Sequence, residues 1–414
     1  MNEALDHRKL YRLPWNLADN PIAWLEPTQA CNLACDGCYR QNEKAHKSLE
    51  TVQSELETFA RLRTFDGVSI AGGDPLLHPD IVEIVRRSRR MGYKAILNTN
   101  GLALTRELLL ELKAAGLTGL TFHVDSKQGR PGWRGKTEVQ MNDLRQSYAD
   151  LVADVGGLAC AFNSTVYEDT LNQVPDIVAW GARNIERVHT LVFITYRAAR
   201  LDAFDYFAAG KPLDMGKVVY TLDAPRRTDI SSREVVATIR TRFPDFQPCG
   251  YLNGTEQPDS FKWLASVRVG DRKSIHAYLG PKVLELSQAF HHLARGRYMS
   301  YAAPALMRMG RSALLGGALV EPSLRAAAKR YLVRSPAALL QPLHLQSVVV
   351  IQPIDVLPDG RQNMCDGCPD MTVHEGRLAW SCRLEELRQF GCFAQCSPKA
   401  CSAQGAAEPH TKPS

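Results

Sequence analysis

Short apolar runs alternate with longer segments of helical period from about residue 22 to residue 196. The runs Ile22 to Pro27, Gly67 to Ala71, Lys94 to Asn98, Gly119 to Val124, Leu158 to Thr165 and Val188 to Thr195 read as strands, each followed by turn or cap residues. Between them, apolar positions recur every three or four residues over Leu49 to Leu62, Asp80 to Met91, Thr105 to Ala115, Val139 to Asp154 and Asp169 to Ala182. That period predicts helices. Six such units predict an α/β fold whose parallel sheet curves into a partial (βα)6 barrel, because closure takes eight units.

After Tyr196 the alternation breaks. Residues 197–270 read as a linker or lid with one helix near Ser231 to Arg242, punctuated by Pro244, Pro248 and Gly250. Residues 271–345 read as helices interrupted at Pro281, Pro304, Gly316 to Gly317, Pro322 and Pro336. The β-branched run Ser347 to Ile351 opens a cysteine-rich C-terminal module over 346–402. Residues 1–21 form an N-terminal extension, and 403–414 are small and polar, the composition of a disordered tail.

Composition narrows the class. At 414 residues, 45% hydrophobic and 23% charged, the chain has ordinary globular values. Taking ~150 residues per domain, it has room for two or three. The longest uncharged apolar stretch among the helices, Ser312 to Val320, is nine residues, against the ~20 needed to cross a bilayer. The formal charge is +6, yet Asp271 to Arg334 alone carries +8 and the remainder −2. A local basic surface with apolar positions interleaved, as in ALMRMGRSALLGG and SLRAAAKRYLVR, suits an anionic membrane headgroup layer. The plainer alternative is a set of helices packed on the barrel mouth with a solvated basic face. No nucleic-acid module is apparent, so nucleic acid is not an expected partner. Met1 to Lys9 is polar with no apolar core following, which predicts a cytoplasmic protein, peripheral at most on the inner membrane surface. There, eleven cysteines are better read as metal ligands than as disulfides.

Cys31, Cys35 and Cys38 stand as C-x3-C-x2-C directly after the first strand. Three thiolates on one loop can hold three corners of a [4Fe–4S] cube and leave the fourth iron open to a small molecule. A zinc site would need a fourth ligand, and His46 is the near candidate. One strand later comes Gly72-Gly73-Asp74-Pro75, and polar residues end the next strands: Asn98, Thr99 and Asn100, then Asp125 and Ser126, then Asn163 and Ser164, then Thr195 and Tyr196. In βα barrels the C-terminal rim of the strands builds the active site, although each such residue could equally cap a helix or turn.

This arrangement resembles the radical S-adenosylmethionine (SAM) superfamily. GGDP is similar to the family's GGEP segment, whose backbone and side chain hold the SAM amino group, with Asp one methylene shorter than Glu. The family often has an aromatic residue before the last cysteine; here Gly37 stands there and Tyr39 follows Cys38. The resemblance implies a [4Fe–4S] cluster on Cys31, Cys35 and Cys38, and SAM held near Tyr39, Gly72, Gly73, Asp74, Pro75, Asn98, Asn100, Asp125 and Asn163. It further implies a 5′-deoxyadenosyl radical made with one electron from a flavodoxin- or ferredoxin-type protein. No catalytic side chain is needed, because the cofactor carries the chemistry.

A second set, Cys365, Cys368, Cys382, Cys392, Cys396 and Cys401, follows near the C-terminus. The C-x2-C knuckle, with thirteen residues between it and Cys382, suits zinc, a mononuclear rubredoxin-like iron or an auxiliary iron–sulfur cluster. A fourth ligand could come from Cys392, Cys396, Cys401 or the distant Cys249, whereas Cys160 in LACAF reads as a core residue. Asn363 to Glu386 resembles a segment of the tetraether lipid synthase group, though the chain lacks the extra cysteine cluster that group carries ahead of its radical SAM loop. That likeness implies that Cys365, Cys368 and Cys382 bind metal and that the substrate is apolar and lipid-like. The expectation is therefore hydrogen abstraction from an apolar substrate beside an auxiliary iron centre. Its rivals are peptide modification and, in a different class, a non-catalytic metal-binding redox sensor.

Overall fold

A computed structural model describes residues 5–215, 220, 226–301, 303–334 and 342–399; Cys401 and the tail at 403–414 lie outside the described residues. Six parallel strands, β1 (Ile22–Thr28), β2 (Gly67–Gly72), β3 (Lys94–Thr99), β4 (Leu117–His123), β5 (Ala159–Val166) and β6 (Thr190–Thr195), pair in sequence order. Helices α1 (Leu49–Leu62), α2 (Ile81–Arg90), α3 (Arg106–Ala115), α4 (Asn142–Val155) and α5 (Val174–Arg183) connect them. The fold is the α/β partial barrel that the alternation predicts.

Local chemistry sets these boundaries. Ser48 accepts a hydrogen bond from the Thr51 N–H to cap α1, and Thr105 does the same for α3 from Leu108. Gly116 ends α3 at φ +103°, a conformation that costs a side-chain-bearing residue. Alternate strand positions such as Ala23 and Leu25 face outward and join Val52, Leu56 and Phe59 of α1 in one buried core. Each fully buried large apolar side chain there contributes roughly 1.5–3 kcal/mol. The inner face is left to Glu26, Ser69, Asn98, Thr121, Asn163 and their neighbours, by the strand's two-residue period.

The sheet does not stop at residue 196. Strand β8 (His344–Ile351) runs parallel to β6, and β7 (Trp263–Gly270) pairs antiparallel with β8. Gly250–Leu252 and then Tyr11–Arg12 extend this edge. The stretch read as linker or lid thus supplies strands to the main sheet. Its alternation was masked by Arg268, which reads as a solvent position yet is fully buried, with Nε 2.8 Å from Gln346 Oε1 on β8.

Helices α7 (Pro281–Arg295), α8 (Pro304–Met307), α9 (Gly310–Val320) and α10 (Pro322–Arg334) carry the basic segment; α6 (Ser232–Arg240) precedes them. Leu314, Leu324, Ala327 and Tyr331 pack with Val269 and Leu279 of the sheet extension. Glu321 ties the set together by accepting from the Gly280 and Val283 N–H groups at the start of α7, at 2.8 and 3.0 Å. These helices do not cover the barrel mouth. Ser300 bonds Asp66 ahead of β2 at 2.7 Å, and the Tyr301 hydroxyl reaches Ser69 at 3.0 Å from the opposite, N-terminal end of the barrel. Among the described residues no helix is long and apolar enough to cross a membrane.

The C-terminal module places a hairpin, Met371–His374 with Arg377–Trp380, against β1 and α1, followed by helix α11 (Leu384–Phe390).

Candidate active site

The loop carrying Cys31, Cys35 and Cys38 leaves the C-terminal end of β1 and is clamped from two sides. On one side the Gly73 N–H donates to Thr28 O at 2.8 Å and the Asp74 N–H to Ala30 O at 2.7 Å. The two glycines make that approach possible: a Cβ would stand 2.4 Å from Thr28 O at Gly72 and 2.2 Å from Ala30 O at Gly73, and Gly72 has φ +107°. On the other side Asn42 exchanges hydrogen bonds with the Cys31 backbone at 3.0 and 2.9 Å. Asn100 Nδ2 reaches Asn32 at 2.7 Å and approaches Cys31 Sγ at 3.8 Å. No cysteine among the described residues is in a disulfide.

Burial is the first cause raising all three thiols, and in Cys35 the charges of Asp125, Cys38 and Cys31 add to it. Three mutually repelling thiolates of this kind call for a cation. Among the described residues no three His, Cys, Asp or Glu side chains gather tightly enough for a single metal ion. His46, the alternative zinc ligand, is instead hydrogen-bonded to Thr28 Oγ1 at 2.8 Å.

The expected SAM residues divide into several roles. Asp74 is 1% exposed and its two oxygens accept from the Leu76 N–H, the Thr99 hydroxyl and the Asn100 N–H at 2.8–3.0 Å. Its carboxylate is thus occupied in holding Asn100 to the cysteine loop, and the backbone of the GGDP turn is what faces the loop; Pro75 opens the following 3-10 turn. Burial raises the Asp74 carboxyl against those hydrogen bonds. Asn98 lies deeper than the rim expectation, donating to Ser69 at 2.7 Å beside Tyr301. For Asp125, burial works most strongly and raises the carboxyl, but the hydrogen bond and charge of His123, 3.0 Å away, together with the Lys127 and Thr165 N–H groups, leave it below its ordinary value. Asn163 is on the inner face at the end of β5, and its amide has no hydrogen-bond partner among the described residues.

Tyr39 turns away from the place expected of it. Arg40 stands 5.1 Å from its ring centroid, and burial, followed by the fields of Arg40, Glu26, Asp370 and Cys382, sets its environment, so it faces the C-terminal module. The space beside Gly37 is taken by Tyr167 and Tyr196, ring centroids 4.9 Å apart; a Cβ at Gly37 would meet the Tyr167 hydroxyl at 2.7 Å. Aromatics from the ends of β5 and β6 thereby occupy the position that a residue of the loop itself often fills.

The second cysteine set is partly assembled. Cys365 and Cys368 are 7% and 5% exposed. A sulfur–sulfur hydrogen bond between them lowers the Cys365 thiol and, with burial, raises that of Cys368. Cys382 joins them: burial, then the charge of Cys365, pushes its thiol up to about 12. The knuckle is held by Arg63, which donates to the carbonyls of Cys368 at 3.2 Å and Pro369 at 3.1 Å, and Asn20 donates to Gly367 O at 3.0 Å. At Gly367, φ +74°, a Cβ would sit 2.1 Å from Trp15 O. The indole nitrogens of Trp15, Trp263 and Trp380 are buried without an acceptor in the apolar cluster that contains Cys365 and Cys368. Those orphaned donors fit an acceptor-rich group bound between them.

Cys249 is a correction. It is fully buried in the sheet, its N–H on Ala265 O at 2.8 Å, its O accepting from Tyr11 at 3.0 Å and its sulfur 3.5 Å from Ala265 O. It serves as a core thiol because its Pro-Gly turn feeds a strand rather than a ligand loop. Cys396 is likewise engaged, by Gln362 Nε2 at 3.0 Å and by pairing with Tyr206. Cys160 is fully buried in β5.

Two buried cations beside these residues gave no signal in the sequence. Arg40, two residues past Cys38, is buried between Glu26, with which it pairs, and Glu385 of α11 at 3.5 Å. Arg130 is 2% exposed, donates to Asn100 O at 2.8 Å and faces the charges of Cys35 and Asp74.

A cysteine loop clamped by a glycine turn at the C-terminal rim of a partial βα barrel defines a radical SAM domain, and residues 25–128 match the Radical SAM superfamily. The chain is similar to the PqqA peptide cyclase of Xanthomonas campestris pv. campestris (strain B100), 29% identical over 197 residues, which cover 45% of this chain and 52% of that protein. It is also similar to the AdoMet-dependent heme synthase of Oleidesulfovibrio alaskensis, 27% identical over 221 residues, covering 48% and 53%. Both matches span only about half of the relative's length. Among solved structures, Streptococcus suis SuiB aligns with a TM-score of 0.39 at 16% identity, over 55% of this chain and 48% of that one.

Proposed function

We propose that the whole chain is a radical SAM enzyme that abstracts hydrogen from an apolar, lipid-like substrate, with an auxiliary iron centre on Cys365, Cys368 and Cys382. The observation that carries the reading is the packing of Thr28 to Ala30, which lead into the Cys31–Cys38 loop, onto Gly72 and Gly73 at the barrel rim. When bound, a [4Fe–4S] cluster with SAM supplies a 5′-deoxyadenosyl radical on one-electron reduction by a flavodoxin- or ferredoxin-type donor. Cys31, Cys35 and Cys38 hold that cluster. The GGDP backbone and the unpaired Asn163 amide orient SAM, and Tyr167 and Tyr196 exclude water from the loop's flank.

The apolar substrate rests on the helical segment. Leu286, Phe290 and Leu293 of α7 are 53%, 73% and 86% exposed at a spacing that puts them on one helical face; Leu319 and Val333 are also exposed nearby in the chain. With the +8 charge of 271–334 they make a surface suited to an anionic membrane. Replacing Arg308, Arg311, Lys329 and Arg330 by Ala is expected to weaken sedimentation with anionic vesicles in a salt-sensitive way, each basic side chain contributing roughly 1 kcal/mol. Binding that is unchanged contradicts the membrane assignment. Peptide modification is the second reading, favoured by the likeness to a peptide cyclase.

The test of the activity is 5′-deoxyadenosine release from cluster-replete protein given SAM and a low-potential reductant. Release that vanishes on Cys31→Ala, Cys35→Ala, Cys38→Ala supports the enzyme. Absence of release from the intact, reduced protein favours the non-catalytic redox sensor. Stimulation of release by lipid extract rather than by peptides separates the two substrate classes.

A further inference from the structure

The C-terminal cysteines are surrounded by donors with nothing to donate to. Trp15, Trp263 and Trp380 each bury an indole N–H that lacks an acceptor, and all three rings pack in the cluster holding Cys365 and Cys368. Buried N–H groups are almost always paired, so three orphans in one small cluster call for an acceptor. Each is tied to a different part of the cysteine set. Trp263 packs against the cluster of Cys365 and Cys368 with its ring nitrogen buried and unpaired. The Trp15 backbone carbonyl abuts Gly367, between Cys365 and Cys368. Trp380 pairs across the hairpin with Met371 and precedes Cys382 by two residues.

Resting on the auxiliary iron centre proposed above, we infer that Trp15, Trp263 and Trp380 are hydrogen-bond donors to the sulfur atoms of an iron–sulfur cluster held by Cys365, Cys368 and Cys382. Zinc offers only the thiolates as acceptors. An iron–sulfur cluster adds inorganic sulfides between the ligands, as acceptors for the buried ring N–H groups. Each such bond favours the more negative, reduced state of the cluster and so raises its reduction potential. The tryptophans are positioning and tuning residues, not ligands.

The experiment is a redox titration followed by electron paramagnetic resonance on the full, anaerobically reconstituted chain, comparing the native protein with Trp15→Phe, Trp263→Phe and Trp380→Phe. Phe keeps the ring's apolar packing and removes the donor. The expected result is unchanged iron and sulfide per chain, with the C-terminal centre shifted to a more negative potential in each variant. The centre on Cys31, Cys35 and Cys38 is unmoved. Full iron with an unshifted C-terminal potential in all three variants overturns the inference while leaving the iron centre standing. Should a variant lose its iron, resonance Raman of the native protein reconstituted in D2O decides: deuterium-sensitive Fe–S stretches of the C-terminal centre support it, and insensitive ones overturn it. If the native site takes up zinc alone, the auxiliary iron reading itself fails, and the inference with it.

Discussion

The two cysteine sites of this chain live in opposite surroundings. Cys31, Cys35 and Cys38 sit on a rim loop, half-buried to exposed, with Asn42, Asn100 and Arg130 about them. Cys365 and Cys368 are sealed among Leu13, Leu252 and Met371, with unpaired indole donors packed against them. A site that admits and releases a small molecule needs open coordination and polar groups that can exchange partners. A site enclosed in apolar side chains admits nothing of that size, but its dielectric and hydrogen bonds can set a redox potential. Arg40 connects the two, with its neighbours Cys38 on one side and Glu385 on the other.

The largest effect expected to separate the sites is that of Cys31→Ala, Cys35→Ala, Cys38→Ala. It is expected to abolish 5′-deoxyadenosine release and to leave the iron proposed at Cys365, Cys368 and Cys382 in place, as product and iron assays will report. Next is Arg40→Ala, which strands Glu26 and Glu385 without their shared cation. Breaking a buried pair from one side costs about 3–5 kcal/mol, so the melting temperature should fall sharply, and an unchanged melt would separate the two sites energetically. Gly73→Ala drives a Cβ against Ala30 O, a backbone atom that cannot swing aside. Overpacking of that kind costs about 1–3 kcal/mol, and weaker SAM binding by calorimetry should accompany it with C-terminal iron intact. The smallest change is Asn163→Ala: one neutral hydrogen bond, about 0.5–1.5 kcal/mol, read as a rise in KM for SAM of up to roughly tenfold with no change in melting temperature.

Most of the barrel was legible because its strands are buried on one face by helices and their apolar runs stand alone between caps. Predicted and observed helix α1 coincide at Leu49–Leu62, and the strand bounds differ by a few residues. The cysteine loop and GGDP were legible because chemistry demands that spacing. Less was legible where a polar residue is buried by a partner distant in sequence. Arg268 hid a central strand because Gln346, which satisfies it, lies 78 residues away. Cys249 looked like a ligand on a turn because nothing local shows that the turn enters a sheet. Arg40 and Arg130 carry no pattern at all, since their roles arise only when Glu385 and Asp74 are folded against them. The neighbour Cys38 suggests SAM for Tyr39, but its surroundings in the fold are Arg40, Glu26 and Asp370, which no local pattern shows.

The central claim, one open and one enclosed iron centre in a single chain, is tested most directly by iron, sulfide and zinc per chain after anaerobic reconstitution, in the native protein and in the Cys31→Ala, Cys35→Ala, Cys38→Ala variant. The account predicts that the variant loses about four irons, one cube, and keeps iron and sulfide at the C-terminal site. A variant that retains only zinc, or no metal, contradicts it.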